Sequence, residues 1–142
     1  MQYRAVIFLL VIGVVPCAAQ KQVQKKVAIE IVEQTTDQAG KRLTYRLRET
    51  IRKSHSLRLA DDNEVPRLQI LISTIDYDPQ VAPGGATIYA LIWFWKSSYD
   101  CPPRYLYDNL GRSGSDHLDM AAENQIVITD RLIRENKLAE MK

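Results

Sequence analysis

Two histidines and one cysteine hold most of the reactive chemistry downstream of residue 19: His55 in "KSHSL", His117 in "SDHLD" and Cys101 in "YDCPP". A thiol within hydrogen-bond reach of an imidazole can act as a nucleophile activated by a base. Cys101 with a histidine therefore defines one candidate activity, a small thiol or hydrolytic enzyme. The spacings do not support it further. Neither histidine belongs to an HExxH pattern, and Cys101 has no CxxC partner, so no metal site is expected. Ser54-His55-Ser56 lacks the GxSxG elbow of serine hydrolases. "ADDNE" (Ala60 to Glu64) is acidic but lacks the DxDxDG order and glycine of a calcium loop, and is read as a solvated turn. "GRSGSD" could offer backbone N–H groups to an anion, but it lacks the Gly-Lys-Ser/Thr ending of a P-loop; turn and helix cap is the expected role. No catalytic residue and no cofactor is assigned, and the chain is expected not to be an enzyme. Cys101, without a partner for an internal disulfide, is expected to be a buried, inert thiol.

A second kind of chemistry is offered by "IYALIWFWKSSYDCPPRYLYD". This stretch holds seven of the chain's eleven aromatic residues, both tryptophans among them. Read as a strand, it points Tyr89, Leu91, Trp93 and Trp95 one way and Ala90, Ile92 and Phe94 the other. Both rows are apolar, which places the strand centrally in a sheet. The tryptophan row has two readings. It is core, because aromatic rings carry large burial energies, or it is an exposed platform for a protein or a glycan. The residues assigned to partner binding are Tyr89, Trp93 and Trp95, with Tyr105 and Tyr107 beside them. Whichever row is core, the opposite one needs cover, so a protein partner or a homo-oligomer is expected.

These residues need an address and a scaffold. Arg4, the apolar run "AVIFLLVIGVV" and the small residues Cys17 and Ala19 form a secretory signal peptide over residues 1–19. The run is shorter than the roughly 20 apolar residues that span a bilayer, and no later segment reaches that length. The expected localisation is therefore exported, periplasmic or secreted, with no transmembrane segment after signal removal. A lipid anchor at Cys17 is disfavoured by Pro16 in front of it. Without Arg4 the balance is 18 basic residues against 17 acidic ones. Such a chain has no global field for nucleic acid. "KRLTYRLRETIRK" is the one basic cluster, and its spacing makes it a solvated helix face.

Residues 20–142 are expected to form a single domain with frayed termini. "KVAIEIVE" alternates as a strand. Thr36 and Asp37 can cap the helix "QAGKRLTYRLRETIRKS", in which Ala39, Leu43, Leu47 and Ile51 recur every four residues. Gly40 weakens its start slightly. "SLRL" is a short extended piece. "RLQILISTIDYD" and "ATIYALIWFWKSS" form an antiparallel hairpin around the turn "DPQVAPGG", and "RYLYDNL" pairs as a fourth strand. "GRSGSD" is a flexible joint. It leads into "DHLDMAAENQIVITDRLIREN", whose stripe is Leu118, Ala122, Ile126, Thr129 and Ile133. The order β-α-β-β-β-α predicts an α+β fold: an antiparallel sheet of about four strands with two helices on one face.

"LRETIRKSHSLRLADDNEVPRLQILISTID" followed by "TIYALIWFW", Leu47 to Trp95, resembles small exported bacterial proteins of unassigned function. Helix, "S-x-x-L-x-L", proline and alternating strand are also similar to the amino-terminal module of TolB-type periplasmic proteins and to some envelope lipoproteins. The resemblance implies an α+β module that mediates protein contacts, and it implies no active-site residues. The function expected is a small non-enzymatic interaction or self-associating module of the bacterial envelope. The thiol enzyme and a glycan or cell-wall binder are the alternatives.

Overall fold

The computed structural model describes residues 25–78, 80 and 84–141. The expected signal peptide, residues 1–19 with Cys17, lies outside the described residues. Five strands are present: β1 (Val27–Thr35), β2 (Leu57–Leu59), β3 (Arg67–Asp76), β4 (Ala86–Lys96) and β5 (Arg104–Gly114). They form one sheet in the order β2-β1-β3-β4-β5. Helices α1 (Gln38–Lys53) and α2 (Leu118–Glu135) pack on a single face of it.

The helices form for the reasons the sequence suggests. In α1 the four-residue stripe Ala39, Leu43, Leu47, Ile51 is buried, because that spacing keeps one face toward the sheet. Asp37 caps the helix, its Oδ1 accepting from the Gly40 amide at 2.6 Å. Gly40 carries a constraint beyond propensity: a Cβ there would sit 1.9 Å from Thr74 Oγ1. Only glycine lets the first turn of α1 press against β3. In α2 every member of the expected stripe is buried, with Ala121, Gln125 and Leu132 added. In the polar tail, Leu138 is buried in the core.

Three expectations are corrected. The sheet is mixed rather than antiparallel, because β1 runs parallel to both β2 and β3. Helix α1 provides the crossover that parallel neighbours require. The extended "SLRL" piece supplies a fifth strand, β2, beside β1. "GRSG" is not a joint: Gly111 to Gly114 continue β5, pairing with Tyr89 through Ala86. Helix α2 is then entered through a single 3-10 turn at Ser115–His117, without a side-chain cap.

Candidate functional site: the open face of the sheet

Strand β4 is central to the site because it is apolar on both sides and, among the described residues, has helices on only one. Its odd-numbered row lies under the helices. Trp93 is 0% exposed, and Tyr89, Leu91 and Trp95 are buried with it. Trp93 and Tyr89 in this layer are linked to α2, whereas the buried Trp95 Nε1 has no hydrogen-bond partner among the described residues. Trp93 Nε1 donates to Thr129 Oγ1 at 3.0 Å, and Thr129 Oγ1 donates to the Gln125 carbonyl at 2.7 Å. The Gln125 side chain accepts from Asn109 Nδ2 at 3.1 Å and donates to Tyr89 Oη at 3.4 Å. Burial pushes the Tyr89 phenol upward in pKa, and the Gln125 hydrogen bond partly offsets this. The ring of Tyr89 lies across Gly111, where a Cβ would come within 2.4 Å of it. Tyr107 packs against Trp93 with centroids 5.9 Å apart, and Arg131 lies over its outer side at 5.6 Å.

This placement corrects the assignment of partner contacts to Tyr89, Trp93 and Trp95. They are core because both helices present their apolar stripes to that row. Tyr107 is half-buried on the same side. Of the five assigned residues only Tyr105, 54% exposed, stands on the free side.

The even-numbered row of β4 is the one left to solvent. The strand register sets it in a grid. Val32, Leu71, Ile92 and Asp108 form one line across β1, β3, β4 and β5. Glu30, Gln69, Phe94 and Tyr105 form the next, and Gln34, Ser73, Ala90 and Leu110 the line on the other side. Ile75 and Ile88 follow, with Arg112 beyond them. Val32, Leu71, Phe94 and Pro103, with Gln69, enclose a shallow hollow of about 260 Å³. Phe94 meets Tyr105 edge-on at 6.3 Å.

Charges border this apolar centre. Glu30 accepts from Arg67 Nε at 2.7 Å and from Gln69, and Arg67 also donates to the Glu64 carbonyl at 2.7 Å. Tyr105 donates its hydroxyl to Asp108. The carboxylate accepting that proton holds the phenol above its ordinary range. A charged rim around an apolar centre is the usual anatomy of a protein contact surface.

The thiol alternative finds no such assembly. Cys101 is exposed in the β4–β5 connection, not buried as expected, and its neighbours Asp100 and Pro102 are exposed with it. His55 and His117 are exposed too. His117 follows the far end of β5, roughly 30 Å along the strand from Cys101. His55 precedes β2, at the opposite edge of the sheet, three to four strand spacings or about 14–19 Å away. Neither imidazole reaches the sulfur. The basic cluster on α1 is drawn into surface ion pairs, Arg46 with Asp119 and Arg48 with Glu33, each at 3.1 Å.

The sequence marked this face only as the row opposite the tryptophans. Val32, Leu71, Ile75 and Leu110 were missed as members of it. Their signal was the alternation itself, which pairs each with an inward neighbour.

No protein-family model and no curated protein matches the chain. The TolB-type resemblance therefore gains no support from a family match. Among solved structures, a hypothetical protein of Chlamydia trachomatis is similar at TM-score 0.42 and 8% identity, over 82% of this chain and 98% of that one. Rare lipoprotein B of Shewanella oneidensis is similar at TM-score 0.35 and 17% identity, over 80% and 96%. A minor lipoprotein of Acinetobacter baumannii is similar at TM-score 0.21 and 18% identity, over 83% and 87%. Among the described residues, no helix is long and apolar enough to cross a membrane.

Proposed function

We propose that this is a small exported, non-enzymatic module of the bacterial envelope that binds another protein through the open face of its sheet. One observation carries this: the side of β4 that bears Ile92 and Phe94 has helices behind it and, among the described residues, none in front. A sheet face this apolar gains free energy when covered, at roughly 25 cal/mol per Å² removed from water. The charged rim of Glu30, Arg67, Asp108 and Arg112 favours a protein whose own contact patch is apolar at its centre and charged at its border. The signal peptide supports export, and the separation of Cys101 from both histidines supports a non-enzymatic role. The glycan alternative loses its main support, since the tryptophan row lies beneath the helices.

The test uses a photo-crosslinking residue at position 92 or 94, with position 45 on the exposed side of α1 as control. A discrete adduct is expected from 92 and 94 and not from 45. The captured protein, once purified, should bind Ile92→Ser/Phe94→Ser about tenfold or more weakly, with thermal unfolding little changed. Equal adducts from all three positions, or undiminished binding by the variant, would refute the proposal.

A further inference from the structure

Strand β5 is the outer strand of the sheet, hydrogen-bonded to β4 alone among the described strands. Natural sheets blunt such edges with short strands, charged side chains (lysine above all), prolines or bulges. The opposite edge follows that rule, since β2 has only three residues. Strand β5 departs from it in length, with eleven residues, and the charges on its evenly paired part, Asp108 and Arg112, are of opposite sign. Its one irregularity lies near its start, opposite Trp93 and Phe94. From Tyr107 to Gly114 the pairing with β4 is continuous, and "YDNLGRSG" contains neither lysine nor proline. Among the described residues, the large apolar side chain with the greatest fractional exposure sits at the middle of this segment: Leu110, 73% exposed.

The charges on this segment are arranged for one particular neighbour. Asp108, Leu110 and Arg112 all stand on the open face, opposite Ile92, Ala90 and Ile88. Arg112 lies over the Tyr77 ring at 4.9 Å, and has no ion pair among the described residues. Consider two copies of β5 antiparallel about a twofold axis at Leu110. Each Asp108 then stands directly opposite the other copy's Arg112, and Leu110 stands opposite itself. Opposite charges directly across a strand pair stabilise it, and like charges destabilise it. Centring the pair on Asp108 or on Arg112 sets like charges face to face. Centring it on Asn109 or Gly111 leaves both charges opposite uncharged residues. The register at Leu110 is therefore singled out by charge complementarity.

We infer that the protein self-associates through β5, edge to edge and antiparallel, centred on Leu110. The partner is a second copy of this chain, and the product is a continuous ten-stranded sheet. The axis stands perpendicular to the sheet, so all four helices lie on one side. On the other side the two open faces merge into one apolar surface with the Leu110 pair at its centre. This rests on the reading of the open face as a contact surface only for its use. The pairing itself depends on the edge and its charges.

Sedimentation velocity of the full chain over a dilution series tests it. The wild type should show a reversible monomer–dimer equilibrium. Asp108→Arg and Arg112→Asp should each raise the dimer dissociation constant by about tenfold or more, because each places two like-charge pairs in the interface. Mixed one to one, the two variants should form a heterodimer at least as readily as the wild type dimerises, since every charge then meets its opposite. That rescue shows that neither variant is merely misfolded. A wild type that stays monomeric at all concentrations would overturn the inference, as would a dimer indifferent to both reversals. A dimer broken by Ile92→Ser/Phe94→Ser but not by the reversals would place the contact on the open face, overturning edge pairing while leaving that face a contact surface.

Discussion

Removing one hydroxyl from α2 tests whether the tryptophan row is core. Thr129 is 0% exposed. Its Oγ1 accepts from Trp93 Nε1 at 3.0 Å and donates to the Gln125 carbonyl at 2.7 Å. Thr129→Val keeps the branched shape, so little packing is lost. Helix propensity is also nearly unchanged, since valine and threonine rank together. The lost bond to Gln125 costs little, because hydroxyl back-bonding within a helix is at best weakly favourable. What remains is a fully buried indole N–H without an acceptor, which costs about 1–3 kcal/mol. For a domain of this size that lowers Tm by roughly 3–6 °C for each kcal/mol. The assay is urea unfolding followed by circular dichroism, so that replacing Trp93 does not remove the signal. In a Trp93→Phe background the N–H is already gone. There Thr129→Val should cost about half a kcal/mol or less, since replacing both partners by apolar groups is nearly neutral. Equal losses in both backgrounds would mean that the two residues are not coupled, and the proposed anchoring of α2 to β4 would fail.

Two further outcomes follow from the surface. Cys101 is exposed, so iodoacetamide should alkylate it in the folded protein at a rate close to that in denaturant, without loss of stability; protection in the native state would refute its placement. Glu64 is held below the ordinary carboxylate range, chiefly by its hydrogen bond from Arg58, with the Asp61 amide and nearby positive charge adding to it. Its folded pKa is lowered, so its contribution to stability is present above the unfolded value and is lost as pH falls through the folded one. Glu64→Gln should therefore narrow its stability deficit as pH drops through the acid range, and a deficit constant with pH would sink this account.

How much of this was legible without a fold depends on the range of the interaction. The stripes of α1 and α2 were readable residue by residue, because helical periodicity and capping at Asp37 are local. The alternation of β3 and β4, and their hairpin, were readable for the same reason. "GRSG" was misread because glycine and serine suit a turn. It forms a strand because it pairs with Ala86 to Tyr89, and the glycine at 111 leaves room for the Tyr89 ring, 22 residues earlier in the chain.

Local pattern alone shows that β4 has two apolar rows and that both helices carry an apolar stripe. Period two sorts side chains into rows but gives neither row a direction. Only the tertiary structure decided that Trp93 faces the helices and Phe94 the solvent, because that choice depends on which side α1 and α2 cover. The parallel course of β1, the exposure of Cys101 and the position of β5 at the edge were decided in the same way. Each depends on contacts between segments far apart in the chain, which no local pattern records.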